Sequence, residues 1–237
     1  MLFGQAVVNR GIIFIDLALA QWAALGYLVS HHFHLENSLV SFIIAFLFST
    51  FGGVILIILK PYFSKVNFKE AIIGVIYILG SALAITLIST TGMEGHHLDE
   101  MLSGHLLFTS NLELISSIVI YLIAASLLIY FKNKLNKQNS KLFDFIFYTI
   151  FALVVTSSVK LVGILLVFSY LVIPILIGIY ISHNQKNQIL IGWSIGALCS
   201  VLGLGFSLLF DIPPSYSIIL CMTSSLFLSI LIKKRKL

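Results

Sequence analysis

Residues able to bind a cation gather in two places in this 237-residue sequence. The first is Glu94-Gly-His-His-Leu-Asp-Glu-Met-Leu-Ser-Gly-His105. If that stretch is helical, His97, Met101 and His105 share a face at i, i+4 and i+8, and His96 pairs with Glu100 at i, i+4. Imidazole is a good ligand for zinc and its neighbours, and carboxylate supplies compensating charge. His96, His97, Glu100 and His105 are therefore candidate metal ligands. The spacing is looser than the His-Glu-x-x-His pattern of catalytic zinc sites, which occurs nowhere in the chain. A solvated loop would carry the same residues, so both readings stay open.

The second place is the first apolar block, which contains Asp16 and Gln21. A carboxylate within apolar sequence is expensive and normally faces a cavity, a pathway or a partner. Asp16 is thus a candidate for both a transport path and a metal contact, and Gln21 for the path. The competing reading puts Asp16 at headgroup level, a few residues beyond Arg10. Five residues along a helix set the two side chains about 140° apart, so they do not share a face. There is no Walker-type Gly-x-x-x-x-Gly-Lys-Ser/Thr loop, so any ATP that drives this chain is split on another polypeptide.

The elements that must position these residues are membrane spans. The chain is 59% hydrophobic and 10% charged, against roughly half and a quarter in soluble domains. Its apolar residues come in blocks long enough for the ~20-residue helix that crosses a bilayer. This excludes a water-soluble enzyme, a nucleic-acid-binding domain and a disulfide scaffold. Cys199 and Cys221 both sit inside apolar blocks and are read as small buried residues at helix contacts. The first block carries Asp16 and Gln21 and lacks a basic leader, so it is read as part of the mature protein.

Eight helices are predicted, over about 12–30, 38–59, 71–90, 112–131, 142–157, 161–181, 189–209 and 215–232, forming a single transmembrane domain of residues 1–237. Charge placement tests the count independently. With the amino terminus in the cytoplasm, thirteen of the 14 basic residues fall on inner connections, and only Lys160 falls outside. Both termini are then cytoplasmic. His31, His32, His34, His96, His97 and His105 lie on the outer side with Glu36, Glu94, Asp99, Glu100, Glu113 and Asp211. A face rich in imidazole and carboxylate suits divalent cations, although outer loops are polar in any case. Pro174 should kink the sixth span. Gly52-Gly53 and the series Gly192, Gly196, Ala197, Cys199, Ser200, Gly203 and Gly205 should let helices approach closely.

Several blocks together resemble the permease subunits of zinc/manganese-type metal ABC transporters. Asn9-Arg10-Gly-Ile-Ile-Phe14-Ile-Asp-Leu-Ala-Leu-Ala-Gln21-Trp-Ala-Ala-Leu-Gly26 is similar to their opening signature. Ser158-Val-Lys160-Leu-Val-Gly163-Ile-Leu-Leu-Val-Phe-Ser-Tyr-Leu-Val-Ile-Pro174 looks like their central motif, and Gly203-Leu-Gly-Phe-Ser-Leu-Leu-Phe-Asp211-Ile-Pro213-Pro214-Ser215 like their penultimate loop. Glu70-Ala-Ile-Ile-Gly74 and Met101-Leu-Ser-Gly104 match weaker blocks.

The resemblance implies an all-α, polytopic permease of the cell membrane that is not itself an enzyme. It would dimerise, usually with itself, around a central path in the lipid. It would work with cytoplasmic ABC ATPase subunits and an extracytoplasmic metal-binding protein. The transported ion would be divalent, zinc foremost and manganese or iron next, with no covalently bound cofactor and no nucleic-acid partner. Helices one and six would line the path, with Asp16 and Gln21 at its inner half and Pro174 bending the sixth. The family's Gly-Asp-Ala-Leu-Ala-His motif appears here with Asp16 at the Gly position, Leu17 at the Asp position and Gln21 at the His position. Relatives usually carry a further apolar helix ahead of Arg10, so that helix is expected to be lost or to lie before the given start. The basic run Lys132-Asn-Lys-Leu-Asn-Lys137 does not match the docking stretch for the ATPase, which keeps an ATP-independent carrier or channel for cations as the alternative.

Overall fold

A computed structural model of the chain describes residues 3–4, 7–8, 12–35, 37–63, 69–91, 101–104, 106, 109–135, 141–182 and 184–234. Among them are eight long α-helices: α1 (Ile15–His32), α2 (Ser38–Phe63), α3 (Lys69–Thr91), α4 (Asn111–Leu135), α5 (Lys141–Val162), α6 (Ile164–Ile181), α7 (Gln185–Phe210) and α8 (Pro214–Lys234). The described residues contain no strand. In order and approximate extent, these are the eight elements expected from the apolar blocks.

Seven of them, α2 to α8, are long and apolar enough to cross a membrane. The exception is α1, and its surroundings explain why. It is buried nearly all round, from Ile15 and Asp16 through Trp22 to Leu28 and Ser30, because α2, α3, α5 and α6 all pack on it. A helix shielded from lipid by its neighbours can carry polar residues that a lipid-facing one cannot. The outer helices show the converse. Along α2, Leu39, Ile43, Leu47 and Phe51 recur at i, i+4, i+8 and i+12, all exposed, which is the stripe a bilayer would cover.

Small residues set the close crossings. A Cβ on Gly26 would stand 2.6 Å from Ala45 Cα, so α1 and α2 touch backbone to backbone there. Trp22 is wedged between Gly52 of α2 and Gly80 of α3, and its indole N–H donates to Ile76 O at 3.1 Å. Ser49 ties α2 to α1 by donating to Leu19 O at 3.0 Å. These contacts form one core, extended by Phe3 and Val7 and by Phe147 and Phe151 of α5, with Phe3 stacked on Phe151. A second core joins α6, α7 and α8 through Leu166, Cys199, Ile218 and Met222. On α7 the buried members of the small-residue series are Gly192, Gly196, Cys199 and Gly203, with Ser207 a turn beyond. Ala197 and Gly205 fall off this helical stripe and are exposed.

The helices alternate in direction, so each end of the bundle has its own chemistry. At one end lie His31, His32, His34 and the starts of α2, α4, α6 and α8. At the other, Lys60, Lys69, Lys132, Lys134, Lys141, Lys186, Lys233 and Lys234 mark helix termini. The lone basic residue at the histidine end, Lys160, lies in the last turn of α5. It is not in a loop, because α5 runs on to Val162 and the chain breaks only at Gly163. Its Nζ meets Glu113 Oε1 of α4 at 2.6 Å and Ser38 Oγ of α2 at 3.1 Å, so the charge is neutralised where it stands. Both side chains of the ion pair are about a third exposed. A double-mutant cycle of Lys160→Met with Glu113→Gln is therefore expected to return a coupling of only about 0.5–1 kcal/mol in thermal or denaturant melts. Coupling several times larger would mean that the pair is far better shielded than its exposure indicates.

Candidate functional site

Asp16 stands in the first turn of α1, where a carboxylate complements the unpaired N–H groups of the helix start. Its side chain is 1% exposed, and neither carboxylate oxygen has a hydrogen-bond partner. Such a group is costly inside a protein unless a charge or a donor offsets it. Burial dominates the state of this carboxylate, the N–H groups of Leu17 and Asp16 at the helix start act on it next, and among the described residues the Glu70 carboxylate, in the first turn of α3, adds its charge. Glu70 Oε1 accepts the N–H of Ile13 at 2.7 Å, so a residue 57 positions away caps the approach to α1. The second Glu70 oxygen is buried without a partner.

Gln21 is also buried, and its Cγ packs on Gly80 of α3, where a Cβ would stand 3.3 Å away. The structure thus sets Asp16 and Gln21 at two levels of the same α1–α3 seam. Pro174 is buried midway along α6, which continues as one helix from Ile164 to Ile181 across it. Its neighbour Ile175 packs on Gly4, while Phe14 at the start of α1 stacks on Phe168 of α6 with centroids 5.9 Å apart. The first and sixth helices are therefore in contact.

His96, His97, Glu100 and His105 lie outside the described residues. The turn between them, Met101–Ser103 with Gly104, is described, and it is anchored firmly. Ser215 at the start of α8 donates to Ser103 O and to Val162 O. Gly104 and Gly163 both adopt positive φ, +67° and +80°, and their backbones meet closely enough that neither position has room for a Cβ. Met101–Gly104 is thereby pinned to the α5–α6 junction. His31, His32 and His34 sit at the same end of the bundle and are exposed. Among the described residues no group of three His, Cys, Asp or Glu side chains stands close enough together to hold a metal ion.

Two features were missed from sequence. Glu70 was legible only as part of a weak block, since nothing local announces that it reaches the start of α1. Asp144, in the first turn of α5, is a further buried acid, and it has an interaction of its own. Gly192-Trp-Ser-Ile-Gly196 has the spelling of a nucleophile elbow, but an elbow needs a strand–turn–helix context. Here it lies within unbroken α7, and the Ser194 hydroxyl is spent on Leu190 O at 3.0 Å.

Comparison with known proteins accords with this architecture. The chain is 28% identical over 184 residues to an uncharacterised membrane protein of the ycf23-apcF intergenic region of Cyanophora paradoxa, covering 71% of this chain and 60% of that one. It is 25% identical over 175 residues to the manganese transport system membrane protein MntC of Listeria monocytogenes, covering 69% of this chain and 62% of that one. The chain thus spans about 60% of the length of the curated relatives it matches. Its fold is that of a chain in the structure of PsaBC from Streptococcus pneumoniae in complex with Fab, with a TM-score of 0.77 at 21% identity over 96% of this chain and 84% of that one. The family model described as the ABC 3 transport family matches residues 2–233, from the first described residues to the end of α8, and the chain belongs to that family.

Proposed function

We propose that this chain is the membrane-spanning permease subunit of an ATP-driven importer for a divalent transition-metal ion, zinc or manganese. Residues 1–237 form one permease domain that pairs with a second copy around a central path. It sits in the cell membrane with the lysine end and both termini in the cytoplasm and the histidine end outside. Cytoplasmic ATPase subunits power it, and an extracytoplasmic binding protein delivers the ion. The observation that carries this reading is the buried, unpaired Asp16 on the most enclosed helix of a member of a transport family. Intramembrane carboxylates of this kind mark ion pathways. The manganese transport named for the Listeria relative points to the same class of cargo.

In this mechanism the outer imidazoles and carboxylates raise the local cation concentration at the mouth, as charged clefts do. The ion then descends between α1 and its neighbours, past Gln21 to Asp16. Rearrangement driven by the ATPase opens the two ends in turn. Radiolabelled zinc and manganese uptake in cells tests the path. Asp16→Asn is expected to lower the rate about tenfold, the equivalent of roughly 1.4 kcal/mol of lost interaction. His97→Ala should slow uptake at low ion concentration and have little effect at saturation. Wild-type rates in both variants would remove those roles. The ATP-independent alternative predicts that the tagged chain purifies without a P-loop ATPase, whereas the proposed importer brings one down.

A further inference from the structure

Three carboxylate oxygens at the lysine end of the bundle are buried without a full hydrogen bond among the described residues: Oδ1 and Oδ2 of Asp16, which only the N–H groups of Asp16 and Leu17 approach, and Oε2 of Glu70. The fold brings the Glu70 carboxylate to the start of the helix that carries Asp16. Glu70 reaches from the first turn of α3 to the N–H of Ile13, three residues before Asp16, and its charge acts on the Asp16 carboxylate. Glu70 is held in place through its other oxygen, at 2.7 Å, and its Oε2 is buried without a hydrogen-bond partner. Asp16 is 1% exposed, so water from the bulk does not solvate it.

Two neighbouring carboxylates repel each other, and burial strips the hydration from Asp16 and from Oε2 of Glu70. A divalent cation answers both costs, since its two charges balance the pair and its coordination sphere uses the unbonded oxygens. One or two carboxylates with waters completing the shell are how small, hard divalent ions are commonly held. An all-oxygen donor set favours manganese and magnesium over the thiolate- and imidazole-seeking ions. We propose that Asp16 and Glu70 together form a divalent-cation site between α1 and α3, at the opposite end of the bundle from the histidines. Its place as the release-side station of the path rests on the import reading above; the binding itself does not.

Manganese titration of the purified full-length chain, followed by loss of the free-ion signal in electron paramagnetic resonance, tests the site. Glu70→Gln keeps an oxygen to accept the Ile13 N–H and removes only the charge, and Asp16→Asn is likewise isosteric. Size-exclusion profiles and metal-free melting curves confirm that both variants fold. Each is expected to weaken one manganese site at least about tenfold, since even an indirect partner of a metal ligand contributes 10–100-fold. The double variant should lose that same single manganese site and no second one, because both changes strike one ion. Manganese should raise the melting temperature of the wild type and leave the variants unmoved. Unchanged binding in either single variant overturns the pair. Binding lost with cellular uptake intact keeps the site and removes its place in the path, whereas uptake lost with binding intact keeps the import reading and overturns the site.

Discussion

Gly163→Ala is expected to leave little folded protein. Gly163 is the only residue between α5 and α6, and its φ of +80° with ψ of 163° lies in a region essentially reserved for glycine. Holding an L side chain there costs about 1–3 kcal/mol by itself. The added Cβ would also stand 2.6 Å from Gly104 N, with Leu102 O closer still. These are main-chain atoms fixed by the Ser215 hydrogen bonds, so no rotamer change relieves the clash. Together the two effects should exceed roughly 3 kcal/mol, a large part of the 5–15 kcal/mol that typically holds a fold. The readouts are the monodisperse fraction after detergent extraction and the melting temperature. Gly74→Ala and Gly205→Ala are the controls: both glycines are helical, nothing lies within 4 Å of the new methyl, and alanine should be neutral or stabilising by up to about 1 kcal/mol. A Gly163→Ala protein that melts with these controls would show that the junction relaxes freely.

The same junction shows where sequence reasoning stops. Hydropathy and the positive-inside pattern are properties of whole segments, so eight helices and their alternation were legible. Ser157, Ser158 and Lys160 read as a polar break that ends the fifth span early. In the fold the two hydroxyls turn back onto Val154 O at 2.9 and 2.7 Å, satisfying themselves without leaving the helix, and Lys160 finds Glu113. The actual break comes later, at a glycine whose conformation no local composition reveals. On α7 the small-residue series was visible, but only its members at helical period pack inward, and Ser200 serves instead as the hydrogen-bond partner of Tyr170 on α6.

The candidate site divides along the same line. The cost of a carboxylate in an apolar block singles out Asp16 from sequence, whereas the 100° step per residue puts Gln21 on another face and misses that both turn toward α3. What sequence does not contain is the partner. Glu70 sits at the start of its own helix, where an acid is expected for local reasons. Its contact with Ile13 spans 57 residues and depends on the packing of α3 against α1. A site assembled across a helix seam is a tertiary fact, and its two halves each have an adequate local explanation.

Trp22→Ala should be the most damaging change within the seam itself. Trp22 is 4% exposed and fills the gap that Gly52 and Gly80 leave between α2 and α3. In a soluble core such a truncation costs about 3–5 kcal/mol, the sum of lost transfer energy and a cavity. In lipid the transfer part shrinks, because hydrocarbon tails are as apolar as the core. The cavity part stays, since two glycines facing a missing indole have no side chains with which to close it. Losing the bond to Ile76 O adds about 0.6 kcal/mol, the average for interhelical bonds in a membrane. The net expectation is roughly 3 kcal/mol, seen as a lower melting temperature, and much of it should return in Trp22→Phe, which restores an aromatic ring over most of the gap but not the donor. Gln21 packs on the same Gly80, so the cavity also loosens the support of that side chain. Uptake by Trp22→Ala protein that remains folded should therefore fall as well. If Trp22→Ala melts and transports as the wild type does, Trp22 is not what spaces α2 and α3 around α1.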